Sequence, residues 1–142
     1  MPSDTALKTM NVLHRGLMKI TGGKLGWSAS DMPVLELTTV GRKSGAARSC
    51  MLTSPWQAGD TMAIVASAGG NDEHPDWYLN LDADPNVAVR TESGTRQMTA
   101  RTVSGDERTR LWADITRDHA NYAGYQSKTD REIPVVVLEP AS

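Results

Sequence analysis

The chain has 142 residues, 39% apolar and 23% charged, with a formal charge of −2 at pH 7. That is enough for one ordinary domain with a buried core, and it excludes a disordered chain. It also argues against a dedicated nucleic-acid binder, which needs a basic excess, and the single cysteine, Cys50, excludes an internal disulfide and a Cys-based zinc cluster.

Asp4 to about Thr21 reads as an amphipathic helix, with Leu7, Met10, Leu13, Leu17, Met18 and Ile20 at helical spacing. Lys8, His14, Arg15 and Lys19 give it a basic face. Such a helix packs on a core or lies on anionic lipid, and Gly22-Gly23 stops it. No signal-peptide pattern and no apolar run of membrane-spanning length is visible, so the expected compartment is the cytoplasm.

From Val34 to Val40 the pattern turns β-branched and alternating, which predicts a strand. Gly41 to Gly45 is a turn, and Ser49 to Trp56 is a partner strand. Thr61 to Ala66 is a further strand, followed by a loop from Ala68 to Pro75 and a short helix over Asp76 to Leu81. Val87–Arg90 and Gln97–Val103 form a hairpin around Ser93-Gly94. Ser104 and Glu107 have capping-box spacing before a helix with Leu111, Trp112 and Ile115 on its apolar face. Pro134 to Leu138 is a last, buried strand. The fold class is mainly β (α+β): roughly six antiparallel strands in a barrel with N-terminal, short middle and late helices, and no doubly wound sheet. Four Trp, seven Met and no Phe mean that Met and aliphatic side chains fill much of the core.

His14, His74 and His119 have no metal-ligand spacing, so no metal site is expected. There is no GxSxG elbow, no GxGxxG after a strand and no Walker sequence. The strongest local signal is Gly41-Arg42-Lys43-Ser44-Gly45-Ala46-Ala47-Arg48. Three cations on one glycine-hinged turn suit a phosphate or carboxylate. The plain alternative is a solvated hairpin tip, with Arg96, Gln97 and Arg101 as ordinary strand polar residues. A second constellation runs from Ala66-Ser67-Ala68-Gly69-Gly70 to His74-Pro75-Asp76-Trp77-Tyr78-Leu79-Asn80-Leu81. Trp77 and Tyr78 suit the wall of a flat-ligand pocket and Asn80 a heterocycle edge; as core residues, Trp77 and Leu81 would anchor the helix. Tyr122 and Tyr125 cover a pocket or pack a helix end.

Taken in order from Val34 to Pro140, these motifs resemble the deazaflavin-dependent nitroreductase family. The carriers are Leu37-Thr38-Thr39-Val40-Gly41-Arg42-Lys43-Ser44-Gly45 with Arg48, the second constellation, and Tyr125 with Thr129-Asp130-Arg131-Glu132-Ile133-Pro134-Val135-Val136. The resemblance implies one split β-barrel domain over residues 1–142, an actinobacterial relationship and coenzyme F420 as cofactor. It implies hydride transfer from F420H2 to quinones, nitro-heterocycles or activated alkenes such as enones, coumarin-like lactones and aflatoxins. The small-molecule electrophile is then the partner, with no nucleic acid involved. A non-catalytic carrier of F420 or a lipid-like ligand in the same barrel is the alternative.

The resemblance also implies site residues. Arg42, Lys43, Ser44 and Arg48 would hold the phosphate and acidic tail. Ser49, Cys50, Met51, Leu52 and Thr53 would run along the ring and ribityl chain. Val65, Ala66, Ser67 and Ala68 would form the facing strand end, and Asp76, Trp77, Tyr78, Leu79 and Asn80 would close the ring pocket. Ser67, Tyr122 and Tyr125 are the candidate proton donors on the substrate side. The chain departs from the family pattern at Ala68, where a lysine is common. Met51 stands for a proline, Thr53 for an aromatic and His119 for an aromatic. These departures imply a weaker hold on the tail and a reshaped acceptor pocket.

Overall fold

The computed structural model describes residues 28–29 and 32–141. The helix expected over Asp4 to Thr21 and the Gly22-Gly23 stop lie outside the described residues. Among those described are eight strands and three α-helices. The strands are β1 (Ser28–Ala29), β2 (Met32–Val40), β3 (Ala47–Thr53), β4 (Trp56–Ala58), β5 (Thr61–Val65), β6 (Asn86–Thr91), β7 (Gly94–Thr102) and β8 (Val135–Pro140). The helices are α1 (Asp76–Ala83), α2 (Gly105–Asp118) and α3 (Asn121–Gln126).

All strand pairs are antiparallel, in the order β1-β2-β6-β7-β8-β5-β4, with β3 on β2. β2 is the branch point. Glu36–Thr38 pairs with β6 on one side while Val34–Val40 pairs with β3 on the other. The sheet curls into a half-barrel, the mainly β split-barrel class that the sequence predicts. β3 pairs with no strand but β2 among the described residues, so among these its outer edge is unpaired. An open edge leaves backbone N–H and C=O groups free for a ligand or another chain.

Strand alternation sends successive side chains into two cores. Leu35 and Leu37 face inward with Ile64, Val89, Met98 and Leu138, and Trp77 and Tyr78 of α1 pack against this cluster. On the other face, Ala63, Val65, Val135 and Val137 meet Leu111, Ile115 and Tyr122. Leu111 and Ile115 lie four residues apart on one stripe of α2, which explains its docking. Each such aliphatic burial is worth about 1.5–3 kcal/mol.

Three expectations need correction. The strand expected over Ser49 to Trp56 breaks at Ser54-Pro55, giving β3 and a separate β4, so the count is eight and not about six. The break is held by the buried Ser54, whose hydroxyl donates to Ala63 O at 2.7 Å while its N–H donates to Pro33 O at 2.9 Å. The capping box does not form: the Ser104 side chain makes no capping hydrogen bond. Gly105 enters α2 with φ +59°, a left-handed start that differs from the helical backbone an ordinary capping box requires at that position. Glu107 is taken instead by Arg101, whose Nη1 donates to Oε1 at 2.6 Å. Arg101 also donates from Nε to Glu139 at 3.0 Å, so it is a three-member ion network and not an ordinary strand residue. Arg101 holds the Glu107 carboxyl below the usual range. Tyr122 and Tyr125 lie on α3, a short helix of their own after α2.

Candidate functional site

The basic turn between β2 and β3 closes through Gly41 N–H to Ala46 O and Gly45 N–H to Gly41 O, both 2.8 Å. Gly41 admits close neighbours: a Cβ there would lie 3.0 Å from Ser44 Oγ and 3.5 Å from Arg48 Cγ. The Arg48 stem and the Ser44 hydroxyl therefore share one spot over Gly41. Ser49 lies next along β3, its hydroxyl 2.7 Å from that of Thr38.

Arg42 points away to α1. Its backbone N–H and its Nη1 both donate to Asn80 Oδ1, at 3.2 and 2.8 Å. Its Nη2 lies 3.3 Å from Asp76 Oδ1. Arginine has only donors, so these bonds fix which end of the Asn80 amide faces it. The other end donates to the buried Thr39 Oγ1 at 3.3 Å, and Thr39 donates to Arg48 O at 3.4 Å. Asn80, 4% exposed, thus ties α1 to both arms of the hairpin. Its amide is committed to protein partners, which differs from the heterocycle contact expected for it. Lys43 and Arg48 have no hydrogen-bonded or ionic side-chain partner among the described residues. Two exposed, unpaired cations on one turn fit a phosphate or a chain of carboxylates.

β3 divides the residues expected along a ring. Register places Cys50 opposite Leu37 and Leu52 opposite Leu35, so both pack on the inner core. Ser49, Met51 and Thr53 face the other way. At the far end of that row, Thr53 hydrogen-bonds the Tyr122 hydroxyl, which also contacts Met32 Sδ at 3.6 Å. Burial raises the Tyr122 pKa, the Thr53 bond opposes that rise, and Tyr125 adds to it. Tyr125 meets Tyr122 edge-on at 5.9 Å and is half-buried.

Val65 and Ala66 bury their side chains and leave only backbone to a ligand. Ser67 begins a tight turn, Ala68–Gly70, in which Ala68, Gly69 and Gly70 all have positive φ. This turn abuts α3: a Cβ on Gly70 would lie 2.9 Å from Tyr125 O. Trp77, Tyr78 and Leu79 are half-buried, and Tyr78 packs on His74 at 4.9 Å. Trp77 therefore packs on the core with part of its side chain exposed. The structure gathers the Arg42–Arg48 turn, the start of α1 and inner β3 into one region, and Ser67–Gly70 with α3 into an adjoining one.

The sequence model of the F420H(2)-dependent quinone reductases matches residues 12–140. The chain belongs to this family. An F420H(2)-dependent quinone reductase of Mycobacterium tuberculosis (strain ATCC 25618 / H37Rv) is 38% identical over 130 residues, 89% of this chain and 87% of the relative. A solved F420-H2 dependent reductase, FDR-A, is 41% identical with a TM-score of 0.67, across 75% of this chain and 94% of the other. A solved domain-swapped dimer is 36% identical, TM-score 0.69, across 92% and 99% of the two chains. A heme binding protein from Mycobacterium smegmatis, 20% identical at TM-score 0.56, shares the fold alone. The reductase is thus an F420H2-dependent oxidoreductase of the split-barrel class. No helix among its described residues is long and apolar enough to cross a membrane.

One residue of consequence carried no role in the sequence reading. Arg131 lies in the loop before β8, yet its guanidinium reaches Ala66, Ser67, Asn71 and His74. In the sequence it stands within Thr129 to Val136, a stretch that carries the family resemblance, but the resemblance implies no role for it.

Proposed function

We propose that this reductase reduces quinones, with activated alkenes and nitro-heterocycles as further acceptors. The phosphate and acidic tail of F420 lie on the Arg42–Arg48 turn, and the ring lies by β3 and α1. The observation that carries this reading is the pair of unpaired cations, Lys43 and Arg48, beside a strand edge that is likewise unpaired among the described residues. When bound, F420H2 supplies the hydride; the protein binds, orients and tunes charge.

Asn80 and Asp76 hold Arg42 against α1, so the turn is set before an anion arrives. That pre-organisation cuts the ordering cost of binding. Reduction of a quinone or an enone builds negative charge on an oxygen, and a donor placed there lowers the barrier. Of the three candidate donors, Tyr122 is the poorest, being buried, already bonded and raised in pKa. The hydroxyls of Ser67 and Tyr125 make no hydrogen bond among the described residues, so either is free to donate.

The test is to mix purified protein, F420H2 and a soluble quinone and follow the oxidised deazaflavin chromophore. Turnover supports the reading. Binding of F420 without turnover on any acceptor gives the carrier alternative, and no binding overturns the cofactor assignment.

Trp77 supplies a second readout. Cofactor binding is expected to quench tryptophan emission, and Trp77→Phe to remove most of that quench. A quench retained in full moves the contact to another tryptophan: Trp27, or Trp56 or Trp112, which pack on the second core with Leu111 and Ile115. The substitution itself is expected to lower stability by about 1–3 kcal/mol, because the ring packs on the inner core.

A further inference from the structure

Arg131 makes four contacts with one loop. Nε donates to Asn71 O at 2.8 Å, Nη2 to Ser67 O at 2.9 Å and Nη1 to Ala66 O at 3.1 Å. Nη1 also lies 3.1 Å from His74 Nδ1. The backbone of Arg131 is itself anchored, since its N–H donates to Thr129 Oγ1 and its carbonyl accepts from Gln126 Nε2 at 2.7 Å. A guanidinium has no acceptor, so the His74 contact is a hydrogen bond only when Nδ1 is unprotonated. The proton of the neutral ring is then on Nε2.

The clamped loop needs such a hold. Ala68, Gly69 and Gly70 carry three successive positive φ angles, one of them on an alanine. Inner polar carbonyls at Ala66, Ser67 and Asn71 would otherwise compete for alternative turns. The loop also runs directly into His74-Pro75 and the first turn of α1, where Asp76 meets Arg42.

We infer that Arg131 is a positioning residue of this reductase, which through a neutral His74 sets the Ser67–Ala68 turn and the start of α1 for the cofactor. This rests on the proposed placement of F420 beside those two elements. No lysine can replace it, because one ammonium cannot span three carbonyls and a ring nitrogen. The charges around His74 define the pH behaviour. Burial and Arg131 lower the ring pKa from its ordinary value, Asp82 of α1 opposes them, Tyr78 stacks on the ring, and Asp72 faces Arg131. A base with a lowered native pKa stabilises the fold above its unfolded value, and the contribution is lost as pH falls. Protonation of the native ring breaks the contact with Arg131, so cofactor affinity declines only as pH falls through the lowered native pKa of His74, below the ordinary imidazole range.

The experiment compares wild type, Arg131→Lys and His74→Asn, which keeps an acceptor near the Nδ1 position without a titrating ring. In the cofactor-free protein, nuclear magnetic resonance of the imidazole is expected to show the Nε2–H tautomer and a lowered pKa. In Arg131→Lys the preference for the Nε2–H tautomer is lost, and amide exchange over residues 66–74 quickens while β7 and β8 stay protected. F420 binding is expected to weaken about tenfold in Arg131→Lys. His74→Asn is expected to bind like wild type near pH 8 and to lose the acid decline. An unchanged imidazole and unchanged exchange in Arg131→Lys overturn the clamp, whatever the cofactor does. A broken clamp with unaltered F420 affinity overturns the positioning role while leaving the proposed function intact. Failure of wild type to bind F420 at pH 8 overturns the placement of the cofactor, and with it the positioning role, while the imidazole still reports the clamp.

Discussion

Replacing Lys43 and Arg48 together with alanine is expected to weaken F420 binding about thirty- to a hundredfold at low ionic strength. Each cation offers a charge-assisted hydrogen bond to phosphate or carboxylate, the stronger kind of polar contact. Neither has a carboxylate to leave when an anion arrives. Arg42→Ala is expected to cost less binding than either, because Arg42 already has Asp76 Oδ1 at 3.3 Å and Asn80 Oδ1 at 2.8 Å. An anion reaching Arg42 competes with those partners. All three residues are exposed, so the losses shrink in salt, where screening over about 10 Å at 0.1 M weakens wild type as well. The maximal rate with saturating F420H2 and quinone is expected to stay near wild type, since a remote tail contact binds ground and transition states alike. Titrations at two ionic strengths check this. Wild-type affinity in the double variant would place the acidic tail elsewhere on the barrel.

What was legible in the sequence was what depends on near neighbours. Alternation from Val34 to Val40 gives β2 and its two faces, and the spacing of Leu111 and Ile115 gives the buried stripe of α2. The basic turn was also visible, because Gly41 to Arg48 is one contiguous stretch. What was hidden depends on partners far along the chain. Asn80 reads as a ligand-facing polar residue, yet its amide is spent on Thr39 and Arg42, 41 and 38 positions away. Arg131 bonds groups 57 to 65 positions away, and no local pattern reports that. The capping box failed for a different reason: Glu107 is drawn to Arg101 on β7, only six positions back, an ion pair that the capping spacing does not report. Strand alternation, in contrast, contains a limit on the site that is easy to miss. Five successive residues of β3 cannot all present side chains to one flat ring, and only Ser49, Met51 and Thr53 share a face.

Gly70→Ala is expected to be strongly damaging, lowering stability by about 2–4 kcal/mol. Two effects add. The residue has φ +87°, where a Cβ is strained in any surroundings. The methyl would also lie 2.9 Å from Tyr125 O and 3.0 Å from Lys128 Cβ. Neither atom can swing away as a side-chain tip does, so the end of α3 must shift. That shift travels to Tyr122, which packs in the outer core with Ile115 and Val135. For a chain of this size the midpoint of thermal unfolding drops by roughly 8–15 °C. Gly124→Ala is the matched control, at the residue next to Tyr125. It lies within α3, without positive φ and with nothing within 4 Å of the new Cβ. There alanine improves helix propensity, so stability is expected to hold or to rise by about 0.5–1 kcal/mol. Thermal and denaturant unfolding of the two variants decides between packing and propensity. If Gly70→Ala melts with wild type, the turn over Ala68–Gly70 does not press against α3, and Ser67 and Tyr125 do not belong to one region.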